Sequence, residues 1–547
     1  MSFTTRPELR GTFGAVASTH WLASQTGMAV LERGGNAFDA VCAAGFVLQV
    51  GEPHLNGPGG DLPVVFWSAE REQALVLCAQ GVAPQAATID WFRSEGHDQV
   101  PGTGVLAACV PGAVGGWLAL LEELGTWPLA DVLAFAIDYA EQGYPVAGGI
   151  TATIERVEPL LREWPGSASL YLPAPRPGTL FRNPQLAATW RRVLAESGGT
   201  IEGARRAFYE GFVADEIDAL VREQGGLLTG DDLAGWRATF EEPATVGYRG
   251  LTVCKTAAWG QGPAGLQQLA LREGLDVAGM DEVTFVHVVT EAAKLAFADR
   301  DAAYGDGAPL DELLSPEYAA RRRALIEETA SGELRPGVGR LPASNSLLQA
   351  PSGHPGDTVH VDVADRWGTL VSATPSGGWL QSSPTIPALG WPLGTRAQMF
   401  WLEEGLPSSL VPGTRPRTTL SPGLVLRDGE PWLAYGTPGD DRQEQWALHA
   451  LLRHVDRGLD LQAAIDAPEW FTHHLIKSFA PRDVELRSLT VESRFGDEVI
   501  GELRRRGHDV TVTGPWELGR VSAIKREGGQ IVAAANARGM QGYAVCR

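Results

Sequence analysis

From Thr358 to Ala364 the chain alternates strictly. Val359, Val361 and Val363 fall on one face of an extended strand, and Thr358, His360 and Asp362 fall on the other. Arg366-Trp367-Gly368 reads as a three-residue hairpin loop, with glycine where a positive φ is wanted, and Thr369 to Thr374 returns as the second strand. A loop centred on Trp367 pairs Asp365 with Thr369. Continued outward, that register sets Thr358 opposite Ser376, with about 4.5–5.5 Å between their β-carbons.

Thr358 opens this strand, in the run Gly356-Asp357-Thr358-Val359. A threonine there is ordinarily a β-branched strand former and nothing more. If the bond after Asp357 is cut, however, Thr358 gains a free α-amine beside its own hydroxyl, which places nucleophile and base in one residue. An α-amine titrates near about 7.7–8.0, so part of it is neutral near pH 7 and able to take the hydroxyl proton. Ser376 is then the candidate hydroxyl that steadies the nucleophile's oxygen. A Ser-His-Asp style relay through Thr358, His360 and Asp362 is set aside, because same-face neighbours on a strand lie about 6.5–7 Å apart and point in parallel. His360 is read as structural.

The bulk numbers exclude several classes. The 547 residues, 44% of them hydrophobic, can bury a large core. The 45 basic and 66 acidic residues leave a charge of −21, which repels nucleic acid and anionic membrane surfaces. Five cysteines, Cys42, Cys78, Cys109, Cys254 and Cys546, stand singly, without the spacing of a disulfide framework or a thiolate zinc site. The first residues lack an apolar signal core and no run reaches a membrane span, so a cytoplasmic location is expected.

Along the chain, a short apolar strand from Ala15 runs into a helix ending near Met28. Gly34-Gly35-Asn36 stops it, and an Ala-rich helix follows from Ala37 to Gln49. The glycine-rich stretch from His54 to Asp61 is expected to form a loop at a site. Residues 112–225 are mostly helical in pattern. A helix near 283–303 carries Glu291, Lys294, Asp299 and Arg300, read here as a solvated face. Residues 330–357, rich in Gly, Pro and Ser, are expected to form an exposed, mobile connector that ends at Thr358. Gly260-Gln261-Gly262-Pro263-Ala264-Gly265 fits a dinucleotide-binding pattern, but Pro263 interrupts it and Asp281 and Glu282 introduce a helix where a second strand should end. Neither cofactor nor metal is expected.

Several blocks in order resemble the γ-glutamyltransferase family of N-terminal nucleophile hydrolases, from about Gly14 to Gly542. They include Gly34-Gly35-Asn36-Ala37-Phe38-Asp39-Ala40, Glu52-Pro53-His54, Val110-Pro111-Gly112, the run from Glu291 to Arg300, the run from Arg415 to Pro422, and Gly436-Thr437-Pro438-Gly439-Asp440. The resemblance implies an α+β fold, a four-layer α/β/β/α sandwich built jointly by two subunits. It implies a precursor that cuts itself between Asp357 and Thr358 into residues 1–357 and 358–547, giving bands of about 38 and 20 kDa at roughly 110 Da per residue. It further implies a small-molecule amide as substrate and an acyl-enzyme on Thr358, and it leaves room for a dimer of heterodimers. Gly439 and Asp440 align with the family's oxyanion hole, where Asp440 replaces a glycine and its carboxylate must point away. Thr418 and Thr419 align with a substrate-contacting serine pair.

The chain departs from the family at the glutamate clamps. Gln80 stands where an arginine holds the substrate's α-carboxylate, and a neutral amide cannot replace a bidentate guanidinium. The segment that supplies acidic contacts to the α-amine reads Gly394-Thr395-Arg396-Ala397-Gln398-Met399-Phe400, without a carboxylate. Arg396, Arg415 or Arg417 could instead receive an acidic substrate, Arg415 having the best motif support. The expected activity is hydrolysis of an amide whose acyl part is not an ordinary γ-glutamyl group. A γ-glutamyl transpeptidase or glutathione hydrolase, and an inactive binding homologue, are the alternatives.

Overall fold

Strict alternation at the hairpin is a request for two different surroundings, and the fold supplies them as layers. The computed structural model describes residues 3–343 and 357–547. Residues 344–356, most of the expected connector, lie outside the described residues.

Fourteen strands form two seven-stranded sheets. In chain order they are β1 (Leu9–Gly11), β2 (Ala15–Ser18), β3 (Leu62–Ser68), β4 (Gln73–Ala79), β5 (Thr239–Glu241), β6 (Ala244–Tyr248), β7 (Leu251–Lys255), β8 (Val361–Ala364), β9 (Leu370–Ala373), β10 (Gly423–Arg427), β11 (Glu430–Gly436), β12 (Ser522–Glu527), β13 (Gln530–Ala535) and β14 (Tyr543–Cys546). The first sheet runs β14-β2-β8-β9-β3-β4-β5 and the second β1-β13-β12-β11-β10-β7-β6, every neighbouring pair antiparallel.

The sheets stack face to face through small and branched side chains. Ala15, Ala17, Val65 and Val76 of the first meet Leu424, Ala434, Ile524 and Ala533 of the second. The outer face of the first sheet, including Val16, Phe66, Val361, Val363 and Val371, is covered by helices. These are α1 (Trp21–Glu32), α2 (Ala37–Gly51), α3 (Ala113–Leu124) and α4 (Leu129–Gln142). The second sheet's outer face packs Val253, Val425, Leu433 and Val532 against α5 (Gly262–Arg272), α6 (Glu282–Ala303) and α7 (Gln443–Val455). Helix, sheet, sheet and helix make the four-layer α+β sandwich.

Local signals explain the register. Asn36 caps α2, accepting from the amides of Phe38 and Asp39 at 2.9 Å, while Asp39 accepts the Asn36 amide at 2.9 Å. In the hairpin loop Asp365 Oδ1 accepts the amides of Trp367, Gly368 and Thr369 at 2.9–3.1 Å, and Gly368 takes φ +110°. Asp365 Oδ2 accepts the Ala37 amide at 3.0 Å, pinning the hairpin to the start of α2. Val361 pairs with Ala373, and Thr358 bridges Ser376 as the register predicts.

The polar residues of α6 depart from the solvated face read in the sequence. Glu291, Lys294, Asp299 and Arg300 are all buried and ion-paired, Lys294 to Glu291 at 2.5 Å and Arg300 to Asp301 and Asp441. The helix is enclosed on every side, so its charges had to find partners inside the protein. The glycines of the 260–265 run permit close packing. A β-carbon on Gly265 would stand 1.9 Å from Glu444 Oε2, where α5 crosses α7. Among the described residues no helix is long and apolar enough to cross a membrane.

Candidate active site

With the valines of β8 turned to the helices, Thr358, His360 and Asp362 face the layer between the sheets. Thr358 is 2% exposed and donates its hydroxyl to Ser376 Oγ at 3.2 Å. Ser376 in turn donates to the carbonyl oxygen of Asp357 at 2.9 Å. The candidate nucleophile is therefore linked by one hydroxyl to the carbonyl immediately before it. Asp357 is further held by an ion pair with Arg520, and its Oδ1 accepts the Thr358 amide at 2.9 Å.

Gln443, the first residue of α7, donates to Thr358 Oγ1 at 3.4 Å and accepts the Ser421 amide at 3.1 Å. It lies just after the Gly439–Asp440 turn and so brings that turn beside Thr358. Gly439 has φ +134° and a β-carbon there would meet the Trp446 ring at 2.4 Å; Asp440 has φ +48°, a left-handed conformation that favours glycine. The Asp440 carboxylate turns to Arg442, with bonds of 3.0 and 2.8 Å.

His360 and Asp362 correct one inference from spacing. His360 Nε2 lies 2.9 Å from Asp362 Oδ1, so the pair is in direct contact, because the side chains lean toward each other. Thr358 is outside that contact: His360 Nδ1 is taken by Thr374 Oγ1 at 2.8 Å and Asp362 Oδ2 accepts Ser522 Oγ at 2.9 Å. The pair braces the two sheets. A β-carbon on Gly436 would sit 2.3 Å from the His360 ring, which is fixed at both nitrogens. Gly436→Ala is expected to lower stability by about 1–3 kcal/mol, read as a shifted urea midpoint with an unchanged slope.

Thr418 is engaged locally, its hydroxyl accepting the Leu420 amide at 3.4 Å, whereas the buried Thr419 hydroxyl has no hydrogen-bond partner among the described residues. Gln80 is buried with its side-chain amide toward the Asp61 carboxyl. Arg415 does not stand ready for an acidic ligand: it pairs with Glu241 at 2.6 Å and Asp306 at 2.7 Å. Arg417 donates to Ser478 at 3.0 Å and leaves Nη1 unpartnered. Arg396 pairs through Nε with Asp61 at 2.9 Å, with both Nη groups unpartnered. Asp61 exchanges backbone bonds with Ser376 at 2.8 and 3.1 Å, which brings the Asp61–Arg396 pair next to the residue that accepts from Thr358.

Asp61, Gln443 and Arg520 escaped sequence reasoning. Only the glycine-rich loop ending at Asp61 gave a signal. The grouping of His287, Glu291 and His508, whose ligand atoms lie within 4.8 Å, is the metal-like cluster among the described residues. Most of its atoms have partners in the protein: the rings meet at 2.9 Å, His287 Nε2 lies 2.8 Å from the Glu327 carbonyl oxygen and Glu291 holds Lys294 at 2.5 Å.

Residues 23–546 match the family model for gamma-glutamyltranspeptidase. The chain belongs to this family. The glutathione hydrolase-like YwrD proenzyme of Bacillus subtilis is 34% identical over 528 residues, covering 94% of this chain and 95% of that protein. The oxamate amidohydrolase proenzyme of Klebsiella pneumoniae is 33% identical over 535 residues, covering 94% and 95%. Among solved structures, LmbA2991HD superposes with TM-score 0.94 at 52% identity, each chain covered in full. Cephalosporin acylase from Bacillus halodurans superposes with TM-score 0.87 at 30% identity, covering 100% of this chain and 98% of that one. The protein is a hydrolase of the N-terminal nucleophile type, and its fold is theirs.

Proposed function

We propose that this gamma-glutamyltranspeptidase family member cuts itself before Thr358 and then hydrolyses a small amide through an ester on the Thr358 hydroxyl. The observation that carries this reading is the chain of bonds from Thr358 Oγ1 to Ser376 Oγ to the Asp357 carbonyl, 3.2 and 2.9 Å long. In maturation the Thr358 oxygen attacks the Asp357 carbonyl carbon, the C–N bond breaks and the nitrogen takes a proton. Water then opens the ester and leaves a carboxylate on Asp357 and a free amine on Thr358. In turnover that amine takes the hydroxyl proton as the oxygen attacks the substrate amide. The departing amine is protonated, and water releases the acid. The amides of Gly439 and Asp440 supply the donors for the oxyanion.

The acyl group is not an ordinary γ-glutamyl group. Gln80 carries no charge, and the charge of Arg396 is spent on Asp61, so separate clamps for a glutamate ammonium and carboxylate are missing. Charge-assisted contacts of that kind contribute about 1.5–3 kcal/mol each. Relatives named for oxamate and for cephalosporin substrates support an acyl range wider than glutamyl. The YwrD relative keeps glutathione hydrolysis as the second reading. The purified protein is expected to show two bands near 38 and 20 kDa, at roughly 110 Da per residue, and little release of nitroaniline from γ-glutamyl-p-nitroanilide. Robust turnover of that compound refutes the loss of glutamate specificity, and a single uncut band refutes maturation.

A further inference from the structure

A cavity of about 470 Å³ opens at Asp357, the residue before Thr358, and its wall also includes Arg520, Arg156, Arg442, Glu52 and His54. His54 Nδ1 and Gln381 Oε1, on residues 5% and 1% exposed, face it without a hydrogen-bond partner. Burial holds the His54 imidazole neutral, its pKa lowered to about 3. Glu52, whose pKa burial raises to about 7, is bonded to Thr19 at 2.6 Å and Gln541 at 3.0 Å.

The guanidinium groups in this wall are not equivalent. Arg442 is spent on Asp440, on the same turn, at 2.8 Å. Arg520 instead has its ion pair with Asp357, the residue whose carbonyl is attacked during maturation. That pairing makes the precursor a chemical template. When the Thr358 oxygen holds Asp357 as an ester, the acyl group is a carbonyl carbon, two further carbons and a terminal carboxylate, and the carboxylate rests on Arg520. Once the ester opens and residue 357 withdraws, Arg520 loses its ion-pair partner and faces the cavity, with the Glu52 carboxyl, whose pKa burial raises to about 7, as the other acid that acts on it. A partly exposed cation left without its ion-pair partner selects an anion of matching reach.

We propose that Arg520, vacated by Asp357, receives the distal carboxylate of a four-carbon dicarboxylic monoamide, so that the preferred acyl group is succinyl-like. This rests on the Thr358 reading above and names the acyl class for the same site. The Thr358 oxygen forms an ester with the succinyl carbon, the amide C–N bond breaks, and the amine leaves with a proton. Water then releases succinate and restores the hydroxyl. Arg520 is a specificity residue that touches the substrate, and in the precursor it positions the bond to be cut.

The test titrates succinate against the cut wild-type protein, against Thr358→Ala, in which Asp357 stays on Arg520, and against Arg520→Gln. The wild type is expected to bind succinate about tenfold or more tightly than either variant, and butyrate weakly in all three. In turnover the cut wild type is expected to favour succinyl-p-nitroanilide over butyryl-p-nitroanilide by about 100-fold in kcat/KM, with the preference carried in KM. Arg520→Lys, which keeps the charge, should retain part of that preference. Equal succinate affinity in the three proteins, or equal use of the two anilides by cut wild type, overturns the proposal. A wild type that remains one band on the gel instead overturns the Thr358 reading, and that result is seen before any ligand is added.

Discussion

Thr358→Ala is expected to leave one 58.4 kDa chain on a denaturing gel and to lower amide hydrolysis by about 10⁴-fold or more, the usual scale for loss of a nucleophile. Both effects follow from one oxygen. In the uncut protein Thr358 Oγ1 is the donor to Ser376, and Ser376 is the donor to the Asp357 carbonyl. Removing the oxygen removes the atom proposed to attack in maturation, and an uncut chain has no free amine at residue 358 to serve as base. Thr358→Ser keeps the oxygen and should still be cut, more slowly, because serine loses the β-branching that narrows the side-chain rotamers. Ser376→Ala should slow the cut while leaving the nucleophile in place. Intact-mass measurement of the small chain during turnover would show the acyl group as an added mass on the wild type alone. An alanine variant with full activity, or an uncut wild type with full activity, refutes the account.

Arg300→Met is expected to destabilise the folded protein by about 3–5 kcal/mol, the range for removing one partner of a buried ion pair, measured by urea unfolding at neutral pH. Arg300 is fully buried on α6 and its Nη1 reaches both Gln261 at 2.8 Å and Asp441. Asp441 also accepts the amide of Ser478 at 2.9 Å and its hydroxyl at 2.5 Å. Burial alone would raise the pKa of Asp441, yet Arg300 and Arg417 hold it below the usual aspartate range. A carboxylate with a depressed folded pKa contributes stability above its unfolded pKa and loses it as pH falls through the folded one. The wild type should therefore lose this contribution only on strong acidification. The Arg300→Met variant should be impaired at neutral pH and lose less between neutral and acid. Because Asp441 follows Asp440 directly, the variant should also lower kcat through the turn proposed to carry the oxyanion donors.

How much of this could be read from the chain depends on how far apart the partners lie. The hairpin was legible because its two strands are joined by three residues, and its alternation states which side chains face the same way. Thr358, Ser376 and their pairing follow from that local geometry, as does the capped start of α2 at Asn36. The partners of Arg415 were not legible because a motif reports the residue type and not the carboxylates that will surround it; Glu241 and Asp306 come from elsewhere in the fold. The same limit hid Asp61, which meets Arg396 across 335 positions, and Gln443, which meets Thr358 across 85. The charges of α6 looked solvated because helical periodicity identifies faces, and a helix covered on all faces gives a charge no solvent to turn to. The contact of His360 with Asp362 was missed by treating side chains as parallel rods, when a ring and a carboxylate two residues apart can lean together.

The strand order carries a consequence for manufacture of the protein. In the first sheet β8 and β9, from beyond residue 357, lie between β2 and β3 from before it, and in the second β10 to β13 lie between β1 and β7. Fragments 1–357 and 358–547 would thus be threaded through each other like the fingers of clasped hands. Separately made fragments would each expose bare strand edges with nothing to pair. Genes for the two pieces expressed apart should yield insoluble material, while the continuous gene yields a nicked but inseparable product, so the order of events is built in: fold as one chain, then cut.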